Sequence, residues 1–256
     1  MQEHSEKLAV SVFIVAQDEA HNMPRLMQSL STFAEVIVVD SGSQDKTIDI
    51  AREFGATVYE QPWLGYAGQK QFALDKCTQP WVLNLDADEV VTDEMLEAII
   101  KFVERDDIDA VRFDRNDLFI GKMPPPSISK PNNVRLYRRK NAQFDTSQQV
   151  HETAKIEGQI TTTNASFDHY GYDDIQTLVA KTNQYSTLKA TEKFNRGKRG
   201  SLLKLMLILP LEFLRQYLLK RMFTFGVRGV ILAAINAQYA FLKEAKLIEQ
   251  GLREKQ

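Results

Sequence analysis

The chain has 256 residues, 43% hydrophobic and 26% charged; this balance excludes a disordered or fibrous polypeptide and suits one large α/β domain, alone or with an appended subdomain. A single cysteine, Cys77, excludes an internal disulfide framework and fits a reducing compartment, and the polar first ten residues lack the basic-then-apolar run of a signal peptide. Net charge is only −2, yet residues 181–256 hold 15 Lys and Arg against 5 Asp and Glu, so a basic C-terminal region is balanced by an acidic remainder.

Residues 8–16 (LAVSVFIVA) form a β-branched apolar run expected to be a buried strand. Met23, Leu26, Met27 and Leu30 then recur at helical spacing, predicting a helix over 22–33 with Pro24 in its first turn. Residues 35–39 (EVIVV) predict a second strand that ends at Asp40, and 43–54 a helix for which Ser43 is the expected N-cap. Strands at 56–59 and 81–85 and helices at 68–76 and 92–104 complete a strand–helix alternation, which implies a mostly parallel sheet flanked by helices. In such sheets ligands bind beyond the carboxyl ends of the strands, where Glu19, Asp40 and Asp86 all fall.

Beyond this alternation, strands are expected at 109–114 and 134–137, separated by a loop rich in proline. Residues 175–195 and those from Leu202 onward return to helical spacing, with interruptions expected at Pro210, Gly226 and Gly229. The domain division expected is 1–175 for the α/β part and 176–256 for a basic amphipathic helical region. Such a region suits a membrane surface or a partner, or is a solvated helical tail. Its longest uncharged run, 229–242, falls short of the ~20 apolar residues that span a bilayer. Membrane contact is therefore expected to be peripheral.

The chemistry centres on Asp86-Ala87-Asp88-Glu89. Residues i and i+2 of an extended chain point the same way, so two carboxylates there can share a divalent cation or a nucleotide. Asp107 and Asp109 repeat the spacing after a charged turn and are expected to be solvated. Asp40 can accept hydrogen bonds from a base or ribose, or can belong to the cap of the following helix. His169 and His151 are candidate metal or diphosphate ligands, with a structural role as the alternative. Arg135, Arg138 and Arg139 suit phosphates or a solvated strand face. Trp63 and Tyr66 suit a sugar site, with core packing as the default.

The run 12–15 leading to Glu19, the motif V-V-D-S-G-S-x-D-x-T (38–47) and Leu85-Asp86-Ala87-Asp88-Glu89 together resemble the inverting family 2 glycosyltransferases of GT-A fold. The stretches 63–74, 150–152, 169–172 and 210–229 resemble the bacterial subgroup of lipopolysaccharide-core β-1,4-glucosyltransferases. The resemblance implies a UDP-sugar donor, UDP-glucose in this subgroup, and a divalent metal, Mg²⁺ or Mn²⁺. The implied acceptor is a lipid-linked oligosaccharide at the inner face of the inner membrane, and no nucleic acid is involved. Residue by residue, Asp40 would meet the uridine, Asp86 the ribose or metal-bound nucleotide, Asp88 the metal, Lys70 the diphosphate, with Glu19 near the nucleotide and Glu152 as the general base. The rival readings are the same fold acting on a peptide or another glycan, nucleotidyl transfer, and a non-catalytic scaffold that binds through its basic tail. The absence of a Gly-rich phosphate loop counts against nucleotidyl transfer.

Overall fold

A computed structural model describes residues 7–146, 153–172 and 174–254. The chain divides into two compact units: the described residues of Met1–Asn116 with Pro131–Gly171, and those of Asp117–Lys130 with Tyr172–Gln256.

The first unit begins with β1 (Leu8–Ala16), α1 (Met23–Gln28), β2 (Phe33–Asp40), α2 (Thr47–Glu53), β3 (Thr57–Glu60), α3 (Tyr66–Lys76), β4 (Trp81–Asp86), β5 (Glu89–Val90) and α4 (Asp93–Val103). There follow β6 (Ala110–Phe119), β7 (Asn132–Arg138), β8 (Ala142–Gln143), β9 (Lys155–Ile156) and β10 (Ile160–Tyr172). Eight strands form one sheet in the order β3-β2-β1-β4-β7-β6-β10-β5, and β8 pairs with β9. The β3-β2-β1-β4 half is parallel throughout, and β7 joins it antiparallel.

Both faces of the parallel half are covered, which is why its strands read as continuous apolar runs. Val12, Ile14, Leu83 and Leu85 pack with Leu26, Ala51, Met95 and Ile99 of α1, α2 and α4. Phe13, Val39 and Val82 pack on the other face with Ala73 and Leu74 of α3. Cys77 lies in that second layer, where burial pushes its thiol up to about 12.

Two helices are shorter than their spacing suggests. α1 stops at Gln28 because the Ser29 hydroxyl donates to the Leu26 carbonyl (2.7 Å) and the chain turns into β2. α2 starts at Thr47 rather than Ser43, since the 41–46 segment is held in a different set of bonds. α4 begins as expected: the Thr92 side chain caps Met95 N–H at 3.1 Å, with Asp93 and Glu94 in the first turn.

The second unit holds α5 (Ile175–Asn195), α6 (Leu202–Leu214) and α7 (Val227–Arg253). α6 runs on into a π-helical turn, Arg215–Leu219, and a 3-10 turn, Met222–Phe225. Pro210 lies inside α6 and Gly229 inside α7, so the break in helicity falls between them. Gly229 admits the close approach of the 3-10 turn: a Cβ there would lie 1.8 Å from the Met222 carbonyl oxygen. Phe119, Leu178, Phe225 and Ile235 form the unit's buried core.

Candidate active site

Strand register brings the first acids together. Ala16 of β1 pairs with Asp40 of β2, and Val15 of β1 pairs with Asp86 of β4. The two aspartates thus flank the carboxyl end of one strand, about 10 Å apart at the usual inter-strand spacing.

The loops after β1 and β2 are bonded to each other through the 38–47 motif. The Asp18 N–H donates to Ser43 Oγ (2.9 Å), Glu19 N–H to Thr47 Oγ1 (2.8 Å) and Ala20 N–H to Asp45 Oδ2 (3.0 Å). In return Asp18 Oδ1 accepts the Gln44 N–H at 2.7 Å, with Asp18 itself at φ 56°. Ser, Asp and Thr at alternate positions each supply an acceptor to a loop that has no ladder of its own. Asp45 is held below the usual carboxylate range by the Thr47 hydroxyl and by backbone donors of Ala20 and Thr47. Asp40 is wholly buried; its Oδ1 accepts the Gly42 and Ser43 N–H groups, both at 2.8 Å, and its Oδ2 accepts the Ser43 hydroxyl. Ser43 is therefore a loop clasp rather than a helix cap.

Asp86 is clamped between two cations. Lys70 Nζ of α3 lies 2.9 Å from Oδ1, and Arg135 Nη2 of β7 lies 3.1 Å from Oδ2. Arg135 also binds Glu89, whose Oε2 accepts the Asp86 N–H at 3.0 Å. A β-bulge delivers Arg135: Val111 pairs with Leu136 but Arg112 with Val134, leaving Arg135 as the extra residue. Glu89 has no exposed surface, whereas 43% of the Asp86 side chain stays accessible. Burial pushes the Asp86 carboxyl up, but Lys70 and Arg135 outweigh it and hold the group well below the usual carboxylate range. Asp86 is thus ionised. Burial pushes Glu89 up to about 7 although Arg135 opposes the shift. The two carboxylates in turn hold Arg135 above its ordinary value against the effect of burial.

Asp88 meets His169, with Nε2 3.3 Å from Oδ2. β5 pairs with β10 through Glu89 and His169, and the Tyr170 N–H donates to the Asp88 carbonyl at 2.8 Å. A Cβ at Gly171 would come within 2.6 Å of the His169 ring and 2.8 Å of Asp88 Oδ2, so glycine leaves this corner its room. One carboxylate oxygen and one imidazole nitrogen suit a divalent cation whose remaining ligands are water and phosphate oxygens. Among the described residues no group of three acidic, His or Cys side chains is placed to hold a metal unaided.

The other candidates separate. Glu19 lies beside the clasped loops, with Oε2 accepting from Asn22 Nδ2 at 2.8 Å. Asp107 pairs with Arg105 in an exposed turn, and Asp109 is bonded to Asn141 and the Gln159 N–H. Arg138 pairs with Asp106 and lies over Trp81, so of the three arginines in that stretch Arg135 alone meets the acids. Trp63 and Tyr66 are exposed rather than core, their rings edge to face at 4.8 Å. Tyr66 precedes Lys70 by one helical turn and shares its face. Glu152 and His151 lie outside the described residues. In the sequence Glu89 is marked only by its place at the end of the acidic run.

A sheet with a parallel half, acids at the carboxyl ends of its strands and a partly exposed carboxylate clamped by two cations is an α/β architecture of the GT-A type. A family model described as glycosyl transferase family 2 matches residues 11–163, and the chain belongs to that family. It is 36% identical over 253 residues to the lipopolysaccharide core biosynthesis glycosyltransferase LpsC of Rhizobium meliloti (strain 1021), covering 95% of this chain and 93% of LpsC. It is 34% identical over 265 residues to an uncharacterized glycosyltransferase of Rickettsia conorii (strain Malish 7), covering 96% and 92%. Among solved structures, the mannosyltransferase PcManGT of Pyrobaculum calidifontis in complex with GDP-Man and Mn²⁺ shares the fold, with TM-score 0.54, 14% identity and 97% and 76% coverage.

Proposed function

We propose that this chain transfers a hexose with inversion, glucose from UDP-glucose, to a lipopolysaccharide inner-core or other lipid-linked acceptor, working as a peripheral protein at the cytoplasmic face of the inner membrane. The observation that carries the donor reading is the ionised Asp86 held between Lys70 and Arg135, with Asp88 and His169 beside it. The acceptor class is supported by the likeness to LpsC, whose name assigns that protein to lipopolysaccharide core biosynthesis.

In this reading Asp86 receives the ribose or the nucleotide. Asp40 fixes the loop that borders the uridine, and Glu19 lines the same loop. Lys70 has three N–H donors and spends one on Asp86, which leaves two for diphosphate oxygens. Asp88 and His169 would hold Mg²⁺ or Mn²⁺, which when bound stabilises the charge gained by the leaving diphosphate. Trp63 and Tyr66 present aromatic faces to a sugar ring. Glu152 is the general base: it takes the proton of the acceptor hydroxyl as that oxygen bonds to the anomeric carbon and the carbon–diphosphate oxygen bond breaks. Such a base commonly contributes ~10²–10⁴ in rate.

The test is release of nucleoside diphosphate from a panel of nucleotide sugars, with Mg²⁺, with Mn²⁺ and with EDTA, on wild type and Asp88→Ala. Slow metal-dependent UDP release from UDP-glucose, lost in the variant, is the expected result. A folded wild type that binds no nucleotide sugar with either metal would sink the reading.

A further inference from the structure

α6 is built inside out for a helix in water. Its half-buried side carries Leu205, Ile208, Glu212 and Gln216, spaced three or four residues apart, and the stacked rings of Phe213 and Tyr217, also half-buried, border the outer side. The opposite side carries Leu203, Met206, Leu207, Leu211, Leu214 and Leu218, all exposed, Leu203 to 65% and Met206 to 62%. A helix on an aqueous surface turns its polar residues outward. Here a glutamate sits on the inner side, bound to Arg215 and Gln216, and the outer side is a continuous aliphatic strip. Leu219 and Phe223 prolong the strip through the turns that follow.

The charges around the strip select its partner. Residues 196–228 hold eight Lys and Arg and one acid, Glu212. Arg196, Lys198 and Arg199 precede the helix, and Lys220 and Arg221 follow it. Arg196, Arg199 and Lys204 are paired with Glu192, Glu254 and Glu244, while Lys198, Lys220, Arg221 and Arg228 form no ion pair among the described residues, so two copies of this face brought together would still set like charges against each other. An anionic bilayer instead offers hydrocarbon to the leucines and headgroups to the flanking cations, whose aliphatic stems can lie along the apolar boundary. No helix among the described residues is long and apolar enough to cross a membrane, and Lys204, Glu212 and Arg215 interrupt this one.

From these observations we infer that α6 and the turn Arg215–Leu219 form an in-plane anchor, lying in the surface of an anionic bilayer with the Leu203–Leu218 side sunk among the acyl chains. Such helices bury their apolar face ~5–10 Å into the boundary. The inference rests on the peripheral membrane attachment proposed above and adds hydrophobic insertion by one named element to attraction by a basic tail.

The experiment is cosedimentation of the full chain with phosphatidylcholine vesicles, with and without phosphatidylglycerol, at low and high salt. Wild type is compared with the fourfold variant Leu203→Gln, Leu207→Gln, Leu214→Gln, Leu218→Gln, which alters exposed positions only. A second protein, Leu207→Cys, is labelled with an environment-sensitive fluorophore, Cys77 being buried. The expected result is binding to phosphatidylglycerol vesicles that survives high salt, a blue shift of the label quenched by lipid-borne nitroxide, and at least about tenfold weaker partitioning of the fourfold variant. Binding abolished by salt and unchanged in the fourfold variant would overturn insertion by α6 while leaving peripheral attachment standing. No vesicle binding at all would overturn both. A dimer broken by the four substitutions, without any vesicle effect, would assign the strip to a second copy. UDP release measured without lipid on the same preparations reports the transferase reading separately.

Discussion

Asp86 and Glu89 are three residues apart, share Arg135, and have their carboxyls shifted in opposite directions. Asp86 has two cations and an open side, so its charge is neutralised and partly solvated. Glu89 has Arg135 and the Asp86 N–H but no water, and the Asp86 charge lies close by; burial and that like charge both favour its neutral form. With a folded value near 7 against an ordinary 4.5, Glu89 binds its proton more tightly in the folded chain. Its contribution to stability is therefore fully present below the ordinary value and is lost as pH rises through about 7. Glu89→Gln cannot titrate. Across that window wild type is expected to lose on the order of 1–3 kcal/mol relative to the variant, read from denaturant midpoints at successive pH values. A variant less stable by a constant ~3–5 kcal/mol at every pH would instead mark a permanently ionised Glu89–Arg135 pair.

At the scale of elements, the site depends on two loops that clasp each other rather than on helix termini. Thr47 is fully buried, and its hydroxyl is the acceptor for the Glu19 N–H. Thr47→Val keeps the shape and removes that acceptor, leaving a backbone donor unsatisfied. A loss of about 1–3 kcal/mol is expected by chemical denaturation, together with weaker donor binding. An unchanged stability would mean that water replaces the hydroxyl and that the clasp is incidental. The same scale shows what was legible in the sequence. β1, β2 and β4 could be read because burial on both faces makes an unbroken apolar run, and the strand-end rule then placed Asp40 and Asp86. The 13 residues of β10 do not read as a strand. Their ITTTNASFDHYGY pattern mixes polar and apolar side chains, and only Phe167 among them lies at the centre of the core. Residue type alone therefore marks His169 in the sequence, while its pairing with Asp88 depends on β5 docking beside β10. Arg135 could not be separated from Arg138 and Arg139 because a bulge, not an alternation, decides where it points.

For the whole molecule, charge and apolar surface are segregated along the chain. The acids proposed to handle a donor lie in the first unit, and the basic and aliphatic surface lies in the second. The domain division expected from composition placed the change at residue 175, but residues 117–130 also belong to the second unit, contributing Phe119 and Ile128 to its core. Nothing in a proline-rich loop signals such membership, since the partners of Phe119 and Ile128 in that core beyond the loop lie 50 or more positions away in sequence. Segregation makes the two tasks separable by mutation. In the fourfold α6 variant, UDP release in the absence of acceptor is expected to stay within about twofold of wild type. Transfer to an acceptor embedded in phosphatidylglycerol vesicles is expected to fall by about tenfold at limiting acceptor, through KM rather than kcat, because what is lost is a shared surface and not an interaction made in the transition state. Dispersing the same acceptor in detergent should restore the variant to wild-type rates. A fall in kcat that detergent does not repair would show that the α6 strip holds the acceptor itself, and the anchor would have to be assigned elsewhere.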